Sequence, residues 1–318
     1  MSRSPAVPFD VSSRTIFITG AARGIGAATA ERLHAKGANV ALVGLEPERL
    51  EELAERLGPD RATWFEADVA DYDALERAVE GTVERFGGID VAIANAGISY
   101  VGSLATAPVE QVERTLEVNL LGVWRTDRAV IEQITRRRGY LLNIASLSAV
   151  THTAMMGPYT TAKSGVEALS DALRMETAPS GARVGCAYFG FIDTDLVRAA
   201  YAQPSVELMN AALPGFLRDP APLSSAVDAI ERGIERRAAR LWAPRWVGAA
   251  IALRGVLQPL LEWRSQSNAA ELAEAMRMSD PQSGNVPEAD PLLGVATQAL
   301  APRESTPITG RERTPISR

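Results

Sequence analysis

The fold is decided near the start of the chain, by the sequence Thr15-Ile16-Phe17-Ile18-Thr19-Gly20-Ala21-Ala22-Arg23-Gly24-Ile25-Gly26. A buried-strand pattern leads directly into a glycine-rich turn, and a helical pattern follows over 25–36 and ends at Gly37. Glycine lets backbone approach a pyrophosphate closely, and a helix N-terminus favours negative charge. The glycines are separated by three residues and then one, which departs from the common dinucleotide fingerprint of one and then two. A nucleotide-binding turn is one interpretation, and a plain connecting turn is the other.

Strand and helix patterns alternate along the rest of the first 245 residues. Strands are predicted at 15–19, 39–43, 62–66, 89–94, 140–144, 183–188 and near 241, and the later helices at 47–57, 72–86, 108–137, 159–177 and 223–237. Such alternation indicates parallel βαβ units with a ligand crevice at the carboxyl ends of the strands. We therefore expect an α/β fold, with a Rossmann-type doubly wound parallel sheet of about seven strands in a single domain.

Four segments are expected from the composition along the chain. An N-terminal arm (1–12) precedes the doubly wound domain (13–245), and a helical extension (246–278) and a tail (279–318) follow it. Within the extension, 246–263 resembles an amphipathic helix broken at Pro259 and is too polar to span a bilayer. It could pack on the body or on a subunit partner, or act as a lid or a weak membrane-surface contact.

The tail is predicted to be disordered, because its Pro, Ser, Asp and Arg residues cannot bury enough apolar area to offset the entropy of ordering. It also contains a repeat, in which the sequence of 303–309 recurs at 311–317. Drift in a low-complexity sequence explains this repeat about as well as a partner motif or phosphorylation site.

Composition limits the classes of function. The 318 residues, of which 46% are hydrophobic and 23% charged, suffice for a large core, and the net charge of -6 argues against a dedicated nucleic-acid binder. A single cysteine, Cys186, excludes an intramolecular disulfide, and two histidines are too few for a histidine cluster, so no metal is expected. The first residues lack the apolar core of a signal peptide. We expect a cytoplasmic protein.

Polar or small residues follow several predicted strands, where the ligand crevice should lie. Asp68-Val69 ends the third strand, and its carboxylate could meet an adenine amino group or cap the next helix. Asn95-Ala96-Gly97 ends the fourth, where the amide could tie neighbouring strands together. Asn119 is an amide in an apolar helical stretch, and a buried amide needs partners. It could hold a water between Lys163 and solvent. Ser146 follows the fifth strand.

Tyr159 and Lys163 stand four residues apart in a predicted helix, thirteen residues after Ser146. Residues at this spacing share a helix face. The lysine cation is therefore expected to lower the phenol pKa from its usual value near ~10, so that the tyrosine can exchange protons near neutral pH. A surface pair on an amphipathic helix is the alternative.

These ordered motifs resemble those of the short-chain dehydrogenase/reductase family, over about residues 13–244. The resemblance implies that a nicotinamide dinucleotide binds at Thr19, Gly20, Arg23, Gly24, Ile25, Gly26, Asp68, Val69, Asn95, Ala96, Gly97, Tyr159, Lys163, Gly190, Ile192 and Thr194. It implies a catalytic set of Asn119, Ser146, Tyr159 and Lys163. Phe189 stands where the family has a proline, so the loop near the nicotinamide carboxamide departs from the pattern.

By the same resemblance, Ser146 and Tyr159 would hold the substrate oxygen, and Tyr159 would be the general acid or base of an alcohol/ketone oxidoreductase. Lys163 would hold the ribose and lower the phenol pKa. A homodimer or homotetramer is implied, through helices flanking the fourth and fifth strands. An epimerase or dehydratase on the same fold is an alternative, as is a non-catalytic nucleotide sensor or scaffold.

Cofactor and substrate preference are less defined by the residues. Gly44 stands where an acidic residue would select NAD(H), although Glu46 could still reach the ribose and favour NAD(H). Arg23 matches a basic position of NADP-preferring relatives. NADP(H) is therefore slightly favoured, and NAD(H) is nearly as well supported. A flap at 191–220 is expected to cover a small-molecule substrate. Its large apolar groups, and those beside Ser146, suggest a hydrophobic alcohol or ketone; they are Tyr201, Met209, Leu213, Phe216, Met155 and Met156.

Overall fold

The computed structural model describes residues 8–211 and 215–280. Its centre is one seven-stranded parallel sheet in the order β3-β2-β1-β4-β5-β6-β7. The strands are β1 (Thr15–Thr19), β2 (Asn39–Gly44), β3 (Ala62–Glu66), β4 (Val91–Ala94), β5 (Tyr140–Ile144), β6 (Arg183–Phe189) and β7 (Arg240–Ala243). The predicted doubly wound sheet is confirmed.

Helices cover both faces of this sheet. In chain order they are α1 (Gly24–Ala35), α2 (Pro47–Leu57), α3 (Tyr72–Phe86), α4 (Val109–Leu116), α5 (Gly122–Arg136), α6 (Gly157–Thr177), α7 (Asp195–Tyr201), α8 (Pro204–Ala211), α9 (Gly215–Arg218), α10 (Leu223–Arg236), α11 (Val247–Ala252), α12 (Arg254–Ser267) and α13 (Ala269–Met278). Among the described residues, no helix is both long and apolar enough to cross a membrane.

Alternate residues of the strands enter different cores. Ile16 and Ile18 of β1 belong to a cluster that includes α1 and α10 residues, whereas Phe17 belongs to another with α3 and α5 residues. Strands buried on both faces read as continuous apolar runs, which explains why the strand pattern could be recognised.

The direction of winding reverses at β1, because this strand pairs with β2 on one side and β4 on the other. In open parallel sheets the ligand crevice lies at such a reversal, outside the carboxyl ends of the strands. At the opposite end of β4, the buried carboxylate of Asp90 accepts hydrogen bonds from the Thr15 N–H (3.0 Å), Arg14 (2.9 Å) and Arg137 (3.1 Å). This cluster fastens β1, β4 and the end of α5 together.

The single helical region predicted over 108–137 is interrupted. A π-helical turn at Glu117–Leu121 separates α4 from α5 and contains Asn119. A π-turn adds a residue to one helical turn, and such turns are frequent at functional sites. The apolar periodicity on either side of the turn resembles that of one continuous helix, so the sequence pattern did not reveal it.

The break predicted within 246–263 lies at Leu253 and not at Pro259, because α12 runs through this proline. The chain turns instead at Leu253 and at Asn268. Proline removes a hydrogen bond to the carbonyl four residues earlier and crowds it. Here that residue is Gly255, which is exposed and has open space around it, so water can satisfy the carbonyl.

The predicted terminal segments lie partly outside the described residues. The described part of the N-terminal arm packs on the doubly wound domain. The Phe9 N–H donates to the carbonyl of Glu235 in α10 at 2.7 Å, and Val11 is buried. The tail does not begin disordered at 279, because Ser279 is buried at the end of α13. Residues 281–318 are outside the described part of the chain, so their predicted disorder stays a prediction.

Candidate active site

The glycine turn packs against the chain that leaves β4. A Cβ on Gly20 would lie 2.8 Å from the Ala96 Cα, and one on Gly26 would lie 2.2 Å from the Gly20 carbonyl oxygen. Gly20 also has φ +65°, in the left-handed region that favours glycine. Because side chains are excluded here, α1 begins close to β4, and the unpaired N–H groups of its first turn lie at the crevice.

Asn95 ties this turn to β4, as the sequence suggested. Its amide donates to the carbonyls of Thr19 (3.0 Å) and Gly20 (3.1 Å), and the Thr19 hydroxyl accepts from the N–H groups of Asn95 (3.1 Å) and Ala96 (3.3 Å). The position of the turn is therefore fixed by hydrogen bonds as well as by close packing.

Most of the predicted site residues line one cleft of about 270 Å³ at the switch point. They are Gly20, Arg23, Gly24, Ile25, Asp68, Val69, Asn95, Ala96, Gly97, Asn119, Ser146, Tyr159, Lys163, Gly190, Ile192 and Thr194. Thr19 and Gly26 do not line it, since Thr19 holds Asn95 and Gly26 packs against Gly20. A cleft at the switch point with a side-chain-free turn at a helix N-terminus fits a dinucleotide.

Asp68 lines this cleft but does not cap the next helix, because the cap of α3 is Asp71. One Asp68 carboxylate oxygen accepts the Ala70 N–H at 2.9 Å, and the other pairs with Arg114 of α4 at 3.0 Å. Arg114 is buried and lines the cleft too. Its place at the cleft could not be recognised from the sequence, since it lies 46 residues from its partner.

The two residues with opposed cofactor preferences are paired with each other. The Arg23 guanidinium bonds Glu46 through its Nε (2.9 Å) and a terminal nitrogen (2.8 Å), and Arg49 lies 3.5 Å from the same carboxylate. Gly44, at the end of β2, lines the cleft beside them. This part of the cleft therefore has two cations around one carboxylate.

Ser146, Tyr159 and Lys163 converge beside the loop after β5. The Lys163 side chain is only 4% exposed, and its Nζ donates to the Ile144 carbonyl at 2.8 Å and lies 5.7 Å from the centre of the Tyr159 ring. The Ser146 hydroxyl accepts the Ser148 N–H at 3.1 Å. The first two turns of α6 thus place the phenol and the ammonium on the same side of the helix.

Burial pushes both of these groups towards their neutral forms. Burial raises the pKa of the Tyr159 phenol, and a hydrogen bond with Ser146 opposes the rise. Burial also lowers the pKa of Lys163 to about 8. The predicted lowering of the phenol pKa is therefore not found, because the desolvation of the phenol outweighs what the neighbouring side chains contribute.

Asn119 has its partners on the loop after β4. Its amide oxygen accepts the Ile98 N–H at 2.9 Å, and its amide nitrogen donates to the Ile98 carbonyl at 2.8 Å. A Cβ on Gly97 would lie 2.7 Å from the Asn119 Oδ1 and 3.8 Å from the Lys163 Nζ. Asn119 and Lys163 therefore lie around the same small residue, and the predicted bridging water stays a prediction.

A second cavity, of about 300 Å³, adjoins the cleft. The residues common to both are Ser146, Tyr159, Phe189, Gly190, Leu196 and Val197. Of the predicted substrate residues, Tyr201, Met209, Met155 and Met156 line the cavity. Leu213 lies outside the described residues, and the Phe216 side chain is not described. The cavity also takes lining residues from α12 and α13, where the sequence had left a lid as one of several roles for 246–263.

A dinucleotide cleft that meets a mainly apolar cavity at a serine and a tyrosine defines a nucleotide-dependent oxidoreductase. The chain belongs to the short-chain dehydrogenase/reductase family: the family model described as short chain dehydrogenase matches residues 14–205. Membership makes it an NAD(P)-dependent enzyme that interconverts an alcohol and a ketone or other carbonyl group.

Similar proteins agree with this assignment. The chain is 36% identical to a 2-(R)-hydroxypropyl-CoM dehydrogenase of Xanthobacter autotrophicus, over 61% of this chain and 80% of that one. It is 34% identical to a trans-4-hydroxycyclohexanecarboxylate dehydrogenase of Sinomonas cyclohexanicum, over 58% and 75%. The structure of a Thermococcus sibiricus alcohol dehydrogenase complexed with 5-hydroxy-NADP superposes with a TM-score of 0.63 at 28% identity, over 72% of this chain and 95% of that one.

Proposed function

We propose that this enzyme transfers hydride between NADP(H) and a hydrophobic ketone or secondary alcohol, with Tyr159 as the general acid or base. One observation carries the proposal: the cleft suited to a dinucleotide and the mainly apolar cavity meet at Ser146 and Tyr159. A substrate oxygen at this junction can accept hydrogen bonds from both hydroxyls, which stabilises the negative charge that develops on it during reduction.

The proton is supplied by Tyr159 in the direction of reduction. Because burial raises the phenol pKa, this side chain is protonated at neutral pH and can donate to the substrate oxygen. When bound, the nicotinamide supplies the hydride. The Lys163 ammonium, held by the Ile144 carbonyl, lies near enough to favour the phenolate that remains. In alcohol oxidation the same groups act in reverse.

Asn119 has a positioning role in this proposal. By binding the Ile98 backbone in both directions, it fixes the loop that passes beside Lys163. Loss of these hydrogen bonds would let the loop move, and a small displacement of a catalytic group lowers the rate steeply.

Replacement of Tyr159 by Phe tests the general acid. The variant should bind the reduced cofactor as the wild type does, followed by nicotinamide fluorescence, while kcat falls by about 10²–10⁴-fold, the usual worth of a positioned proton donor. Tyr72→Phe on α3, which lines neither pocket, is the matched control. Unchanged turnover in Tyr159→Phe would refute the mechanism.

The preference for NADP(H) rests on the charges around Glu46. Arg23 and Arg49 both contact this carboxylate, so a 2'-phosphate could replace it as the partner of a guanidinium. Glu46→Gln should then tighten NADPH binding, and Arg23→Ser should weaken it, with smaller changes for NADH in fluorescence titrations. If the wild type prefers NADH and Arg23→Ser keeps that preference, the selectivity comes from Glu46 instead.

A homodimer or homotetramer is proposed through helices that flank β4 and β5. Leu121 and Trp124, on the π-turn and α5, are large apolar residues that remain exposed in the single chain. Light scattering should give a multiple of the chain mass, and Trp124→Glu should shift the mass towards that of one chain. Wild-type protein of monomer mass would contradict the proposal.

We propose that the protein is cytoplasmic. We also propose that it makes a weak contact with a membrane surface through 246–263. Val256, Leu260 and Trp263 are exposed on α12, at spacings of four and three that put them on one face. The protein should sediment with phosphatidylserine-containing vesicles more than Trp263→Ser does. Equal sedimentation of the two would exclude this face as the contact.

A further inference from the structure

We infer that α12 and α13 form a fixed wall of the substrate cavity, and that this wall selects a neutral, mainly apolar ketone or alcohol with a second hydrogen-bonding oxygen. The inference deepens the proposed function and rests on it. These helices lie beyond the matched family region, which ends at residue 205. Their cavity-lining residues are Leu261, Arg264, Ser265, Asn268, Glu271 and Leu272. Leu261, Arg264 and Ser265 share one face of α12, and Glu271 and Leu272 lie on α13 beyond the turn at Asn268.

The wall is attached at both ends to other parts of the cavity. Gln258 of α12 accepts the His152 N–H at 2.8 Å and donates to the His152 carbonyl at 3.4 Å, next to the lining residues Thr153 and Ala154. At the other end α13 packs against α8, where Ala275 and Ser205 are buried. The two attachments connect the extension to the loop after β5 and to the flap.

The chemistry of the lining favours a neutral substrate body. Of the residues that line this cavity in the described chain, two are charged, Arg264 and Glu271, and they are exposed and of opposite sign. Most of the remaining lining side chains are apolar, among them Met155, Met156 and Leu261. An anionic group deep in such a cavity would lose its hydration without gaining a buried cation.

Asn268 provides the specific polar contact. It occupies the cap position before α13, where an asparagine usually accepts a backbone N–H, yet it makes no such bond. Its side-chain amide makes no hydrogen bond to the described residues and is partly exposed to solvent. The hydroxyl of Tyr201, which lines the same cavity, is buried and likewise lacks a partner in the described part of the chain. Unpaired polar groups of this kind favour a ligand that completes their hydrogen bonds.

The size of the substrate is tested by narrowing the cavity at Ser265. Its hydroxyl bonds only the Leu261 carbonyl of its own helix, at 2.9 Å, so the substitution Ser265→Leu removes no tertiary hydrogen bond. Kinetics would be measured with cyclohexanone, a bicyclic decalone and a decalin dione. Ser265→Leu should lower kcat/KM at least tenfold for both bicyclic ketones, leave cyclohexanone within about twofold, and leave cofactor binding unchanged. Gln266→Leu, one residue along and outside the cavity lining, is the control.

The polar contact is tested by Asn268→Ala. Loss of one hydrogen bond corresponds to about a fivefold to tenfold fall, so kcat/KM should fall by that amount for the dione and stay unchanged for the decalone. Ser265→Leu values of kcat/KM that match the wild type, or that fall equally for all three ketones, would refute the role of α12 and α13 as a wall of the substrate cavity. Equal effects of Asn268→Ala on dione and decalone would overturn the polar contact. Absence of wild-type turnover with every ketone, despite cofactor binding, would instead count against the proposed function.

Discussion

Replacement of Asp127 by Asn is expected to stabilise the protein, increasingly so as the pH rises. Asp127 on α5 is 1% exposed, and one of its oxygens accepts a hydrogen bond of 2.8 Å from the amide of buried Asn143 on β5. The other Asp127 oxygen and the Asn143 amide oxygen are both buried without partners. Burial raises the pKa of this carboxyl well above its ordinary value. The folded protein therefore keeps a proton that the unfolded chain loses.

The size of the effect follows from this difference in protons bound. A carboxyl whose pKa is raised by folding contributes stability that is complete below its unfolded pKa and is lost as the pH rises to the folded value. Within that window, one proton corresponds to about 1.4 kcal/mol per pH unit. Asparagine does not ionise, and its amide oxygen can still accept the hydrogen bond from the Asn143 amide. Above the unfolded pKa the variant should therefore gain on the wild type as the pH rises, by up to about 1.4 kcal/mol per pH unit.

Urea unfolding at pH 5.0, 5.5 and 6.0 measures the free energies of unfolding needed for this comparison. Asp60→Asn, at an exposed position after α2, controls for the loss of one carboxylate and should give a nearly constant difference from the wild type. If the Asp127→Asn and wild-type values instead run parallel over this range, the buried carboxyl is already ionised, and the reasoning from burial is refuted.

Three other outcomes are expected. Asp90→Asn should lower the free energy of unfolding, measured with urea at pH 7, by about 1–3 kcal/mol. Burial raises the pKa of Asp90, but its hydrogen bonds and ion pairs outweigh burial and lower it, so the loss should shrink as the pH falls through the folded pKa. A loss that does not change with pH would argue against the ion pairs. Gly26→Ala places a Cβ 2.2 Å from the Gly20 carbonyl oxygen, so cofactor titration should show binding abolished or severely weakened, whereas normal affinity would contradict the close packing. Removal of 279–318 should leave the melting temperature and turnover unchanged; a large fall in melting temperature would contradict the disorder predicted for the tail.

Features that depend on the spacing of residues close in the sequence could be predicted. The seven strands follow from apolar runs. Asp68, Asn95 and Ser146 follow from their positions at strand ends, whereas Gly190, Ile192 and Thr194 were implied by the family resemblance. Tyr159 and Lys163 share a helix face, as a spacing of four requires. Strand bounds were less accurate, since β4 begins at Val91 rather than at residue 89. Backbone hydrogen bonding to the neighbouring strands, which sets these bounds, is not visible in a single segment.

Features that depend on contacts between distant segments could not be predicted. The pairing of Asp68 with Arg114 joins residues 46 apart, and that of Arg23 with Glu46 joins residues on different βα units. The upward shift of the Tyr159 pKa depends on how many atoms surround the phenol, which spacing along one helix does not reveal. The same holds for the extension, whose amphipathic pattern showed that one face is covered but not that it borders the substrate cavity.

The single cysteine gives this molecule a practical advantage. Cys186 lies in β6, fully buried, and burial raises its thiol pKa to about 11, so almost no reactive thiolate forms at neutral pH. A thiol introduced at an exposed site such as Gln266 should therefore be the one that reacts with a maleimide dye. Fluorescence from that position could show whether α12 stays fixed while ketones bind, without prior removal of the native cysteine.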